Sequence, residues 1–291
     1  MTGPSIRLAY LLLCATLSTA YAQTTAPTPA YGDETYRPRP GQSGKNVVWI
    51  PTPDALVTKM LQAAKTTDKD VVYDLGAGDG KIPIAAARDF KARAVGIEYN
   101  PELAALAVRN AERAGVADRV RIITGDIFEN DFSQATVLTL YLLPELNFKL
   151  RPQILKMKPG TRVVSHAFTM RDWEPDDTLT EGFAEAYLWI VPANIAGRWT
   201  FQEQRGEWVG SAEFAQAFQH VGGYLTDSSK SQPLLSATLS GANLSFSFVD
   251  SNGQSLSIRG KVDGNKFDGW MRFPSYETRV TGQRARSDRG G

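Results

Sequence analysis

The run Val71-Val72-Tyr73-Asp74-Leu75-Gly76-Ala77-Gly78-Asp79-Gly80 constrains this chain more than any other stretch. An apolar, β-type segment reaches an acid and then breaks into three glycines at alternating positions, and a helical pattern begins at Ile82. Strand, tight glycine turn and helix in that order build the nucleotide-cradling corner of a doubly wound α/β sheet. The spacing is G-x-G-x-G rather than the dinucleotide spacing G-x-G-x-x-G, and Asp79 stands inside the loop, where a pyrophosphate would be repelled. These features favour a ligand with an adenosine, no phosphate and positive charge near the loop. S-adenosylmethionine, with its sulfonium and ammonium groups, meets those terms.

An alternation of strands and helices surrounds this corner. Strand Val71–Leu75 leads to helix Ile82–Asp89, strand Ala94–Tyr99 to helix Pro101–Ala114, and strand Val120–Thr124 to Gly125-Asp126. Strand Thr136–Tyr141 then leads to helix Leu146–Met157 and strand Arg162–Phe168. Repeated βα units of this length imply parallel strands with helices on both faces. Upstream, Thr52 is expected to cap a helix with Pro53 in its first position, and Leu56, Val57, Met60, Leu61 and Ala64 fall on one helical face. After about Ala193 helical periodicity fades into short alternating runs punctuated by Asn252-Gly253 and Asp263-Gly264. Such dipeptides mark hairpins, so a small antiparallel all-β domain should follow the α/β sheet.

The two ends read differently. Arg7, the apolar run Leu8 to Leu17 and Ala20-Tyr21-Ala22 have the layout of a cleavable secretory signal over residues 1–22. The expected location is therefore periplasmic or secreted, with no stable membrane span after cleavage. An uncleaved N-terminal membrane anchor is the alternative. A Pro-rich linker is expected over 23–46, an α/β domain over 47–195, the β domain over 196–280 and a disordered basic tail over 281–291. The only cysteine, Cys14, falls in the signal, so the mature chain has no disulfide, thiol nucleophile or cysteine-based metal site. His166 and His220 are the only histidines, too few for a histidine-rich zinc cluster, and no metal is expected. Removing residues 1–22 takes away one basic residue and leaves 31 basic against 31 acidic residues. A neutral chain has no global attraction to nucleic acid or anionic membrane.

Four acids sit at or just past predicted strand ends: Asp74, Asp79, Glu98 and Asp126. In an open parallel sheet those ends face the ligand crevice. Glu98 is placed to reach both ribose hydroxyls. Asp126 can accept from the adenine amino group, with Ile127 and Phe128 against the ring, while Asp74 and Asp79 face the cationic side. Gly76, Ala77, Gly78 and Gly80 supply the loop backbone. Taken singly, each acid can also be a solvated cap; the ordered set beside a glycine loop argues for a site.

Residues from about 47 to 177 resemble class I S-adenosylmethionine-dependent methyltransferases. They are most similar to the mitochondrial and bacterial protein-lysine methyltransferases that act on the ATP synthase c subunit and the adenine nucleotide translocase. The similarity rests on Tyr73 to Gly80, on Gly96-Ile97-Glu98-Tyr99-Asn100-Pro101-Glu102-Leu103 and on Arg113-Ala114-Gly115. Further on it rests on Tyr141-Leu142-Leu143-Pro144, Gly160 to Ser165 and Trp173-Glu174-Pro175-Asp176. A weaker similarity runs to Dot1-type histone-lysine methyltransferases. The resemblance implies a protein lysine as acceptor, Tyr99 within the cofactor site and an acceptor site at the end of the fourth strand. Tyr141 then lies beside the cofactor and can stack on the acceptor amine by cation–π attraction; a core aromatic is the other reading of that position. Glu145 can orient an amine or simply be a first-turn helix acid. His166 can line the crevice or be a satisfied structural histidine, and Trp49 and Trp173 can wall a channel or merely pack. A non-catalytic adenosyl-ligand sensor and a small-molecule methyltransferase remain as alternatives.

Overall fold

The computed structural model of the protein describes residues 31–45, 47–228 and 230–285. The expected signal, residues 1–22, lies outside them, together with the first part of the linker and residues 286–291 of the tail.

Helix α1 (Asp54–Ala63) buries Leu56, Val57, Met60 and Leu61. Its N-cap is Pro53, not the expected Thr52. Pro53 itself takes the extended conformation of an N-cap, which leaves Thr52 outside the helix, where its hydroxyl lies 3.1 Å from His166 Nδ1. There follow β1 (Val71–Leu75), α2 (Lys81–Phe90), β2 (Arg93–Glu98), α3 (Pro101–Arg113) and β3 (Val120–Thr124). Next come β4 (Val137–Leu140), α4 (Pro144–Ile154) and β5 (Arg162–His166). In α3 the local code is explicit: Asn100 Oδ1 accepts from the Glu102 and Leu103 N–H groups, with Pro101 behind the cap. Helix α4 starts at Pro144, earlier than its apolar periodicity suggests, because proline at the first position presets the helical φ.

Five strands run parallel in the order β3-β2-β1-β4-β5. The chain winds outward from β1 in both directions, so the crevice opens at the C-terminal ends of β1 and its neighbours. A hairpin, β6 (Asp177–Glu181) and β7 (Ala184–Ile190), completes the sheet, with β7 antiparallel to β5 and β6 at the edge. Strand side chains alternate between faces. Val72, Val137 and Val164 pack under α1 and α2, while Leu138 and Val163 meet Leu150 and Ile154 of α4 with Trp173 and Trp189.

The second sheet holds β8 (Gly197–Glu203), β9 (Val209–Ala217), β10 (His220–Asp227), β11 (Lys230–Pro233) and β12 (Leu235–Ser240). It continues with β13 (Asn243–Val249), β14 (Ser255–Asp263), β15 (Lys266–Arg272) and β16 (Glu277–Arg284). The order is β11-β10-β9-β8-β16-β15-β14-β13-β12, antiparallel throughout. The sheet rolls until its edges nearly meet. The Gln232 amide of β11 bonds both backbone groups of Val249 across the seam. The interior is filled with rings: Phe201 lies edge-on to Phe246 at 5.5 Å and to Phe267 at 5.3 Å, beside Trp199 and Phe248. Thus an α/β sheet and an antiparallel β domain are both present as expected.

Two boundaries differ from expectation. Strand β16 continues to Arg284, into the stretch read as a disordered tail from residue 281. Pairing with both β15 and β8 orders it despite its low apolar content. The described part of the expected linker is also tied down. The Asp33 carboxylate takes ion pairs from Arg109 at 2.7 Å and Arg113 at 3.0 Å, and Pro38 is buried. The Arg109 guanidinium holds Asp33 well below the usual carboxylate range.

The two sheets are docked through the β9–β10 hairpin tip and through the β12–β13 turn, where Gly241 lies against Gly160 and Ile190. The Phe218 ring stacks on Trp173 at 5.8 Å, and Trp173 Nε1 donates to Gln219 Oε1 at 3.0 Å. Gln219 Nε2 in turn donates to Glu174 O at 2.7 Å.

Candidate active site

Gly76, Gly78 and Gly80 carry φ values of 85°, 55° and 83°, so the loop after β1 is left-handed at each glycine. Its tightest contact is at Gly78, where a Cβ would come within 2.6 Å of Trp49 Nε1. Trp49 belongs to a hairpin ahead of α1: Gly41 N–H donates to Trp49 O at 2.8 Å and Trp49 N–H to Gln42 O at 2.9 Å. This hairpin roofs a cleft at the C-terminal ends of the parallel strands.

Of the residues singled out in the sequence, Asp74, Gly76, Ala77, Gly78, Asp79, Glu98, Tyr99, Asp126, Ile127 and Tyr141 all line this cleft, as does Phe128. Gly80 does not; it caps α2 against Ala107. Nor does Glu145, which is 76% exposed and paired with Arg171 at 2.5 Å. The first turn of α4 points it away from the cleft, so the structure gives it no part in orienting an amine. His166 lies behind the lining, buried, with its ring 3.8 Å from that of Tyr141. Trp173 packs at the junction of the two sheets instead of walling a channel.

The acids form a graded set. Asp74 is buried in register with Thr139, whose hydroxyl donates to Asp74 Oδ1 at 2.7 Å. Burial pushes its pKa up to about 7, and the negative charges of Glu98 and Asp79 add to the rise. Burial also raises Asp79, against the pull of Lys81. Glu98 is raised by burial although its two oxygens accept from Gly78 N–H and Asn100 N–H, each at 2.8 Å. One oxygen is therefore committed to the glycine loop and the other to the start of α3, and any ribose contact must use their remaining lone pairs. Three carboxyl groups held above their ordinary range in one concave site form a receptor for positive charge, because a cation restores their ionised state.

The Asp126 end of the cleft has a different balance. Asp126 accepts from Lys45 Nζ at 2.6 Å and from Phe128 N–H at 2.9 Å, and both hold its pKa below the usual value. Lys45 also stands 4.4 Å above the Tyr99 ring. Lys45 lies in the segment read as linker, and no local pattern marks it. Thr139 is equally silent in the sequence, since its partnership with Asp74 exists only through the β1–β4 register. Together the geometry offers a cationic subsite at Asp74 and Asp79, hydrogen-bond acceptors at Glu98 and Asp126, and an aromatic mouth at Tyr141.

Comparison with known proteins adds to this picture. Residues 74–177 match the family described as the ANTKMT methyltransferase domain. A protein-lysine N-methyltransferase of Saccharolobus islandicus (strain REY15A) is 48% identical over 136 residues, which are 46% of this chain and 84% of that protein. The adenine nucleotide translocase lysine N-methyltransferase of Mus musculus is 34% identical over 121 residues, 41% of this chain but only 53% of the relative. Among solved structures, an RNA methyltransferase from Salinibacter ruber in complex with S-adenosyl-L-homocysteine is 51% identical, with 50% of this chain and 96% of that one covered and a TM-score of 0.49.

Proposed function

Because the chain belongs to the ANTKMT methyltransferase family, we propose that it uses S-adenosylmethionine to methylate the side-chain amine of a protein lysine. The observation that carries this reading is the joining of a cation-receiving acid set to an aromatic mouth within one cleft. The name borne by the Saccharolobus islandicus relative supports lysine as the acceptor.

The donor supplies an electrophilic methyl carbon: the amine lone pair forms the C–N bond as the C–S bond breaks, and sulfur keeps that electron pair. The protein's share is alignment and charge. Asp74 and Asp79 receive the amino-acid end, Glu98 fixes the loop and meets the ribose, and Asp126 with Ile127 and Phe128 receives the adenine. Tyr141, half-buried at the end of β4 with its phenol pKa raised by burial, stays a neutral ring. It receives the acceptor by cation–π attraction, worth roughly 0.5–2 kcal/mol. Desolvation in the poorly hydrated mouth then works against that attraction and favours the neutral amine, whose surplus proton leaves to water before transfer.

Labelled S-adenosylmethionine incubated with the protein and a cell-envelope extract should label a protein band, with the methyl group on lysine by mass spectrometry. Label on RNA, or binding of the donor with no transfer, would overturn this reading. We propose in addition that the chain acts outside the cytoplasm, supported by the layout of Arg7, Leu8 to Leu17 and Ala20-Tyr21-Ala22. Recovery of the full-length chain in the cytoplasmic fraction after cell fractionation would refute that.

A further inference from the structure

His166 ends β5 at the same sheet edge as the cleft, yet it does not line the cleft. It touches two residues that do. Its Nδ1 lies 3.1 Å from Thr52 Oγ1, and its ring faces Tyr141 at 3.8 Å with 32° between planes. Thr52 comes from the segment ahead of α1 and Tyr141 from the end of β4, so the imidazole is the common support of two otherwise separate walls.

The backbone is bent to place it there. Ala167 has φ 64°, a conformation uncommon for a residue with a side chain, and Phe168 N–H folds back onto His166 O at 2.8 Å. Such a turn persists only when its surroundings over-determine it. Asn147 Nδ2, fully buried on α4, donates to Ser165 Oγ at 3.1 Å and Phe168 O at 3.2 Å, and Ala167 N–H donates to Glu185 O at 2.8 Å. The turn also brings the Phe168 ring 6.3 Å from Tyr141.

We propose that His166 is a positioning residue for transfer: it fixes the Tyr141 ring and the Thr52 hydroxyl relative to each other across the mouth that receives the acceptor. This rests on the methyltransferase reading above. Burial holds the imidazole pKa down to about 4, so the ring adds no positive charge beside a site that must receive two cationic groups. A Lys or Arg in that place would repel them, and an aliphatic residue would not bond Thr52.

The test separates alignment from binding and from stability. His166→Ala should lower kcat about 10- to 100-fold, the scale of a small misplacement, with the affinity for S-adenosylhomocysteine by calorimetry unchanged. His166→Asn, which keeps a polar atom near Thr52 but removes the ring, and His166→Phe, which does the reverse, should each recover part of the loss. Thr52→Val should lower kcat and Thr52→Ser restore it. A second readout needs no turnover. The chain has two histidines, so two imidazole spin systems are expected by NMR in the free protein. The one titrating near pH 4 should shift on Tyr141→Leu, and its ring-nitrogen shifts should move on Thr52→Val. Wild-type kcat in His166→Ala, or in a folded His166→Asn if the alanine variant fails to fold, would overturn the proposal alone. Absence of transfer by the wild type would remove both it and the enzyme reading.

Discussion

Lys45 Nζ lies 2.6 Å from Asp126 Oδ2 and 4.4 Å over the Tyr99 ring. It thereby spans the Asp126 end of the cleft, which the proposed function gives to the adenine. The same carboxylate cannot serve the ammonium and an adenine amino group at full strength. Asp126→Asn should therefore weaken cofactor affinity roughly 5- to 50-fold, the scale of one charge-assisted hydrogen bond. Lys45→Ala should strengthen it about two- to fivefold, as loss of a half-exposed ion pair allows. Calorimetric titration with S-adenosylhomocysteine checks both, and equal losses in the two variants would make Lys45 a contact of the ligand.

Asp74, with its pKa of about 7, makes binding depend on pH. A cation bound beside it lowers that pKa, so binding releases a proton in the window below 7. Affinity for the cofactor should rise as pH goes from about 5.5 to 7 and level off above that. Titrations in buffers of different ionisation enthalpy would detect the released proton. A flat profile would mean that Asp74 does not face the ammonium group.

The same shift bears on stability. A carboxyl whose folded pKa exceeds its unfolded value binds protons more tightly in the folded state. Its contribution to stability therefore falls as pH rises from about 3.8 to about 7. Asp74→Asn keeps an acceptor for Thr139 and removes the buried charge. The free variant should be more stable than wild type at pH 8, by at most about 4 kcal/mol, and the gain should shrink at pH 5. Thermal unfolding at the two pH values tests the sign.

Glu98 supports the loop as well as the ligand. Glu98→Ala deletes the acceptors of Gly78 N–H and Asn100 N–H together. Cofactor affinity should fall at least about 100-fold, because the buried Gly78 N–H and the part-buried Asn100 N–H lose their partner in the same site. Amide exchange at Gly78 should accelerate in the variant. Exchange unchanged from wild type would mean that the loop stands without Glu98.

Glu145 makes the opposite case. Its carboxylate pairs with Arg171 outside the cleft, and Glu145→Ala should leave kcat and cofactor affinity within about twofold of wild type, as exposed ion pairs contribute little. A tenfold loss of kcat would return it to the site.

The glycine loop and the acids at strand ends were legible in the sequence because both obey local rules: φ above zero demands glycine, and strand C-termini are crevice positions. The places where reading failed share a cause, which is partnership at long range. Strand β16 shows no apolar stripe because its inward positions Thr278, Val280 and Gly282 are small. A Cβ at Gly282 would meet Phe201 at 2.8 Å and Phe267 at 3.0 Å, so neighbouring rings fill the space its own side chains leave. Edge strand β6 buries only Leu179, and β11 is Lys-Ser-Gln-Pro; backbone pairing orders them. Thr52 read as a cap because its neighbours suit a helix start, and only the folded chain brings His166 within reach of it. Lys45 lies 81 residues from its acid, beyond any motif.

The pairing of β16 with β8 imposes an order on synthesis. Strand β8 opens the β domain and β16 is its last strand, some 80 positions later. A ribosome that has released the whole α/β sheet still holds a β domain that cannot close. Until residues 277–284 emerge, β8 offers one edge unpaired, and an exposed edge is where strands of separate chains join. The domain that carries the cleft can thus fold on the nascent chain, while the domain beside it waits for residues 277–284. Fusion partners placed after Arg284 would therefore extend beyond the closing strand, whereas any cut before Glu277 would leave the roll open.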